Sequence, residues 1–445
     1  MSQASSKTKP RSTNWLLRIL RYPRTQNLVI AILAVLMALL AISLVVLFIG
    51  KNPLTVFVSL LRGSGWLPKP RYASGRSMLT DFLGLLDALT PMIFAAIAVA
   101  IAFKAGLFNI GISGQMLTGG FLATVLIGYS QLDAVLAKPL VLLVGALSGA
   151  LLAAFVGWLK ASFNIHEVVS TIMLNYVVQY IVSFFIKGYF IEPVSRQSHT
   201  VSVASRLTLV NVQIGAVETR IPLCFLLAVG LAGVFYLILA RTRLGYEIRA
   251  VGLNRQAAEY SGISSRRTIM LTMALSGAAA GLAGVTYYLG YYNSIMPGDL
   301  SSVGFDSIAV ALLASANPLA CVLSAMLITS LSYGSNYMSS VADVSEYIAS
   351  LLIGIVLLFS ACSGFLKYLV NRNNLAVDLS ESREEPRSTE ALAESLDSKS
   401  YLASSETLGG LPEPDSEPTP TSLLDSASEP DSQDEPGSTP EKGGD

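Results

Sequence analysis

Ten apolar stretches recur along this 445-residue chain, near residues 28–49, 82–103, 107–128, 139–159, 166–186, 221–240, 268–290, 304–314, 317–335 and 346–369. All but 304–314 come close to the roughly 20 residues that an α-helix needs to cross about 30 Å of hydrocarbon. In that solvent the backbone must satisfy its own hydrogen bonds, so each stretch is expected to be helical. The fold class that follows is all-α: a polytopic membrane protein of about ten transmembrane segments. The length would also allow two or three soluble domains, but 52% hydrophobic against 13% charged residues speaks for the membrane. Stretch 304–314 is too short to cross alone. It is expected to be tilted, re-entrant or joined to its neighbour through the Asn317-Pro318 break. The first stretch, Leu28 to Ile49, is too long for a signal-peptide core and lacks a small-residue cleavage site after it, so it reads as a retained first span.

The zero net charge conceals a division. From Asn373 onward there are 18 acidic and 4 basic residues, against 12 acidic and 26 basic from Met1 to Arg372. Segments such as LPEPDSEPTPTS have few apolar side chains to bury, so residues 371–445 are expected to be a disordered acidic cytoplasmic tail. Residues 1–27 read as a basic cytoplasmic segment and 28–370 as the membrane domain. Cys224, Cys321 and Cys362 lie inside apolar runs without metal-ligand spacing and read as small buried side chains.

Loop lysines and arginines set the orientation. Lys7 to Arg24 and the loop from Arg241 to Arg267 are strongly basic, and ten crossings with both inside leave the loops at Asp299 and Asp343 outside without a basic residue. Both termini are then cytoplasmic. The outside loop from Lys51 to Thr80 is the exception, holding Lys51, Arg62, Lys69, Arg71 and Arg76. A second outside loop, Lys187 to Arg220, is polar and long enough to meet a soluble partner.

Two places carry unusual chemistry for such a chain. The stretch AFKAGLFNIGISGQMLTGG, residues 102–120, sets five glycines beside Asn109, Ser113, Gln115 and Thr118 between apolar runs. Such backbone is tolerated at membrane depth only where protein or a cavity shields it, which points to an interrupted helix. The second place is the cytoplasmic coupling loop at 241–267. There Asn254 can cap a short helix over Arg255 to Tyr260, and Gly262 can end it in a left-handed conformation. Ala257 and Ala258 offer that helix a close-packing face, with Tyr246 and Tyr260 able to fill a partner's pocket. A merely solvated basic loop is the alternative.

The run Gln256-Ala257-Ala258-Glu259-Tyr260-Ser261-Gly262 resembles the EAA loop of ATP-binding-cassette importer permeases, with Gln256 where the older consensus has glutamate. The resemblance extends through KAGLFNIGISGQMLTGG (104–120), IHEVVSTIMLNYV (165–177), LGYEIRAVGLNRQAAEYSGI (244–263) and GFDSIAVALLASANPL (304–319), in the order found in the ribose and nucleoside branch, closest to the nucleoside type. It implies a permease subunit for nucleosides or simple sugars in a bacterial plasma membrane. It also implies partners: two ATPase subunits, a second and related permease chain, and an extracytoplasmic substrate-binding protein. Gly245, Asn254, Gln256, Ala257, Ala258, Tyr260 and Gly262 would then couple to the ATPase. The sequence has no GxxxxGK[ST], so ATP would be used by a partner and no cofactor is expected here. No metal cluster, nucleophile–base pair or nucleic-acid motif is apparent.

Asn109, Ser113, Gln115, Thr171, Asn175 and Gln179 are the candidates for the solute path. Thr171, Asn175 and Gln179 follow at four-residue steps on one helix face. Neutral hydrogen-bonding groups suit a sugar hydroxyl or a base edge, and they equally suit hydrogen bonds between packed helices. Asp87, Glu167 and Asp306 are the acids nearest the apolar runs, and His166 beside Glu167 raises a proton relay. An ion-coupled secondary transporter is thus the alternative function, also built on broken helices.

Overall fold

The structure is a computed structural model that describes residues 23–361 apart from 215, 216 and 346. The acidic tail, Cys362 and most of the basic segment 1–27 lie outside the described residues.

Helix α1 (Pro23–Phe48) bends by 118° into α2 (Pro53–Gly63). Asn52 makes the break, because its side chain accepts from Leu54 N–H at 2.9 Å and Pro53 starts the new helix with no N–H to satisfy. Helix α3 (Met78–Lys104) is the centre of the molecule, continuously buried from Leu89 to Ala102. A helix apolar on every side belongs at such a position. Next come α4 (Ile112–Ala123), α5 (Ala134–Phe163) and α6 (Glu167–Phe185), of which α4 and α6 end in π turns over Thr124–Gly128 and Ile186–Phe190.

A β-hairpin, β1 (Thr208–Ile214) and β2 (Val217–Pro222), precedes α7 (Cys224–Arg241). Two short helices, α8 (Arg243–Leu253) and α9 (Arg255–Tyr260), lead to α10 (Ser265–Thr286), which ends in a π turn over Tyr287–Tyr291. The last described helices are α11 (Val303–Leu313), α12 (Pro318–Ala342) and α13 (Tyr347–Ala361).

Each of the ten predicted stretches meets a helix among the described residues, residues 362–369 lying outside them, but the lengths differ from the expectation. Six described helices are long and apolar enough to cross a membrane, or seven if the bent pair α1–α2 counts as one span. The segments Ile112–Gly128 and Val303–Leu313 are shorter apolar helices, so 107–128 is not a full-length crossing. Its first residues are spent on the loop after Lys104. The 304–314 break is as expected: Ser315 and Ala316 both take positive φ, and Asn317 accepts from Leu319 N–H at 3.1 Å to start α12.

Helices approach closely where glycine allows it. A Cβ at Gly281 of α10 would meet Gly145 O of α5, and one at Gly149 would meet Gly277 O. Without a hydrophobic drive between helices in lipid, such close backbone contact supplies the packing. Gly63 of α2 and Gly334 of α12 make a similar contact, which ties α2 to the membrane body.

Two expectations about the outside loops need revision. The loop from Lys187 to Arg220 is not plain polar coil, since its last residues form the hairpin. The hairpin is fixed to the start of α3, where Glu218 N–H donates to Gly75 O at 2.9 Å and Thr80 Oγ1 to Glu218 O at 3.3 Å. The loop from Lys51 to Thr80 contains α2, and two of its basic residues have acidic partners. Lys69 Nζ lies 2.8 Å from Asp81 Oδ2, and Lys51 Nζ lies 2.9 Å from Asp343 Oδ2. The Lys51 pair also brings the loop before α3 and the loop after α12 together. Lys104 Nζ likewise reaches Ser315 O at 3.5 Å.

Candidate functional site

The polar stretch between α3 and α4 forms a closed network. Helix α3 stops at Lys104, Gly106 turns the chain with φ +68°, and α4 restarts at Ile112. A helix starting inside protein leaves backbone N–H groups without partners. Here amide side chains meet them. Asn175 of α6 reaches across, its Oδ1 accepting from Gly114 N–H at 2.9 Å and its Nδ2 donating to Ile110 O at 3.0 Å. Asn109 Oδ1 accepts from Gly111 N–H and from Gln115 Nε2, both at 3.0 Å. Asn109 Nδ2 donates to Gln115 Oε1 at 3.0 Å and to Ser276 Oγ at 2.9 Å, which uses all four of its hydrogen-bonding positions. Ser276 Oγ in turn donates to Ala98 O at 2.7 Å.

Of the predicted path residues, Asn109, Ser113, Gln115, Thr171 and Asn175 are all buried. Ser113 Oγ donates to Ser301 O at 2.9 Å, and Thr171 Oγ1 turns back on its own helix to Glu167 O at 2.8 Å. Gln179 stands apart from the network, its Nε2 donating to Gly298 O at 2.5 Å in the loop before α11. The same crowding explains the glycines. A Cβ at Gly114 would press on Asn175, one at Gly119 on Gly281, and one at Gly120 on the Tyr288 ring.

An open space lies elsewhere. A cavity of about 720 Å³ is bounded by α3, the end of α10, α11, α12 and α13, and its lining includes Tyr287, Tyr291, Tyr292, Tyr333, Asp306 and Asn336. Its volume falls within the range of small-molecule pockets. The ring of Tyr292 sits 4.9 Å from that of Tyr287 and 4.8 Å from that of Tyr291, the latter pair edge to face. Such a cluster offers aromatic faces beside one carboxylate and one amide. None of the six predicted path residues lines this cavity. Of its residues, sequence reasoning had singled out only Asp306. The run Tyr287-Tyr288-Leu289-Gly290-Tyr291-Tyr292 was the available signal. In sequence it is an ambiguous signal, because at the end of an apolar run tyrosines serve equally well as interface anchors.

At the other end of α10, the predicted short helix is present. Asn254 Oδ1 accepts from Ala257 N–H at 3.0 Å, and Gly262 ends the turn at φ +81°. Ala258 is buried while Gln256, Ala257 and Tyr260 face outward, Tyr260 at 94% exposure. Gly245 lets α8 press on the backbone at Ile238 and Leu239, the end of α7. At the far end of α8, Gly252 lies against the carbonyl of Lys104 and the backbone of Ala105. The loop therefore touches the α3–α4 interruption directly.

Residues 82–361 match the family described as branched-chain amino acid transport system / permease component. The chain belongs to this permease family. It is 32% identical to the guanosine ABC transporter permease protein NupP of Bacillus subtilis, over 78% of this chain and 97% of that one. The nucleoside ABC transporter permease protein NupB of Lactococcus lactis is 30% identical over 71% of this chain and 86% of its own. The glucose ABC transporter permease protein TsgB13 of Haloferax volcanii is 30% identical over 65% and 79%. This permease is thus a multi-pass membrane protein and a transport component. Nothing among the described residues supports the ion-coupled alternative: Glu167, the acid of the suggested relay, forms an ion pair with Lys160 Nζ at 2.8 Å.

Proposed function

We propose that this permease is the membrane subunit of an ATP-binding-cassette importer for nucleosides, with simple sugars as the second substrate class. The observation that carries the nucleoside reading is the cavity of tyrosines with Asp306 and Asn336. A base can stack on aromatic rings, an interaction worth about 1–3 kcal/mol per base, while its edge and the ribose hydroxyls need polar partners that an apolar wall would deny. The similarity to NupP and NupB over most of their lengths supports the same reading. For the sugar class, TsgB13 is the support.

In this reading the amides Asn109, Gln115 and Asn175, with Ser113 and Thr171, act on the path by fixing where α4 begins, and Gln179 steadies the loop before α11. Of the loop residues, the exposed Asn254, Gln256, Ala257, Tyr260 and Gly262 form the surface on which a partner ATPase presses, while the buried Gly245 and Ala258 seat the loop against the membrane body. The contact of Gly252 with Lys104 would pass that push to the α3–α4 interruption, so that access alternates. ATP is hydrolysed by the partners, a second, related permease chain completes the pore, and an extracytoplasmic binding protein delivers solute. The lysines and arginines of the segments read as cytoplasmic support an orientation with both termini inside, and the relatives NupP and NupB support a bacterial plasma membrane.

The test is reconstitution in proteoliposomes with the partner ATPase, second permease chain and binding protein that this reading requires. Guanosine uptake should require ATP and the binding protein, and guanosine-loaded binding protein should stimulate hydrolysis. Uptake by this chain alone under a proton or sodium gradient would overturn the reading.

A further inference from the structure

Beneath the β-hairpin lies a second cavity, of about 540 Å³, that shares Tyr291, Tyr292 and Tyr333 with the first. Its inner wall carries Asp87 of α3, 2% exposed. Asp87 Oδ1 accepts from Thr208 Oγ1 at 2.7 Å, but Oδ2 is buried with no partner among the described residues. A buried carboxylate oxygen without a donor is costly, and its position in a cavity wall points to a donor that comes and goes. Of the other charged groups in the lining, Arg76 and Arg220 are basic while Asp81 and Glu218 are acidic. Lys69 already neutralises Asp81. Two cations thus face Asp87 and Glu218, a near-balance that favours neither an anion nor a cation. It suits a neutral solute rich in hydroxyls.

We propose that this cavity is a second solute station, upstream of the tyrosine cavity, which takes the vicinal hydroxyls of a ribose ring on Asp87 Oδ2. The inference rests on the nucleoside reading above and extends it to a residue and a moiety. Because the three tyrosines border both spaces, the sugar end would be held at Asp87 while the base meets the rings. The two cavities would then be occupied in turn or together by one nucleoside.

The test uses the complete reconstituted importer and two probes, guanosine and its dideoxy analogue lacking the vicinal diol. Wild type should prefer guanosine. Asp87→Leu should raise the KM for guanosine on the order of 10- to 100-fold and remove the preference, with little change for the analogue. Thr208→Val breaks the bond to Asp87 but keeps the carboxylate, and should retain the preference. An Asp87→Leu variant that slows both probes equally, or a Thr208→Val variant that behaves like it, would show a structural role only and overturn the station. If wild type moves neither guanosine nor ribose, the nucleoside reading and the station fall together. If it moves guanosine but never distinguishes the analogue, only the station falls.

Discussion

Asn175 shows how one side chain can hold a helix break inside a membrane protein. Its amide meets one donor and one acceptor of the α3–α4 interruption, Gly114 N–H and Ile110 O. Asn175→Ala leaves both groups buried without partners, at about 1–3 kcal/mol each. The expected outcome is a lower melting temperature in detergent and poor surface expression, while Asn175→Asp, which keeps the acceptor, should fall between. Gly84 makes the second prediction at this scale. Any Cβ there would run into Tyr333 Oη, so Gly84→Ala must displace a ring that lines both cavities. Guanosine KM is expected to rise with little change in thermal stability, read by uptake and melting side by side. Asp343 illustrates a contact that matters little. Lys51 holds its carboxyl below the usual carboxylate range through a direct hydrogen bond, so the pairing is fully present above that range and is lost as pH falls below it, through the lowered value. Both partners reach solvent, and Lys51→Ala should leave melting at neutral pH unchanged.

Elements explain how a push on the surface reaches the interior. Helix α9 is short, capped by Asn254, and joined through α8 to the backbone at Lys104. Gly252→Val would insert atoms between α8 and the Lys104 carbonyl, where overpacking typically costs about 1–3 kcal/mol. Binding of the partner ATPase should survive, because α9 is untouched, while stimulation of hydrolysis by loaded binding protein should be lost. A variant that couples normally would separate α8 from the coupling route. The short helix was legible in the sequence because its cap, its alanines and its terminating glycine are local signals. The first strand of the β-hairpin has a local signal too, the alternation of Val210, Asn211, Val212, Gln213 and Ile214, but a single short alternating run does not by itself separate a strand from a polar loop.

For the whole molecule, the prediction concerns the tail and the cavity together. The relative NupP is matched over 97% of its length by 78% of this chain. Removing residues 373–445 should therefore leave ATP-dependent uptake intact, which a truncated importer in proteoliposomes would check directly. Tyr291→Ala and Tyr333→Ala, by contrast, should raise the guanosine KM by about tenfold, the loss expected for one stacking face.

By itself the sequence determined that this chain lives in a membrane, where its long helices lie, and that the chain must be interrupted near Asn109 and Asn317. Those follow from run length, charge and local caps, all of them short-range in sequence. Only the tertiary structure decided what the polar side chains do. Asn109 and Asn175 lie 66 positions apart yet close one network, and Tyr291, Tyr333 and Asp306 come from three helices to wall one cavity. Periodicity shows which residues share a helix face. It does not show whether that face meets another helix or an open space, because that depends on how the helices pack in three dimensions.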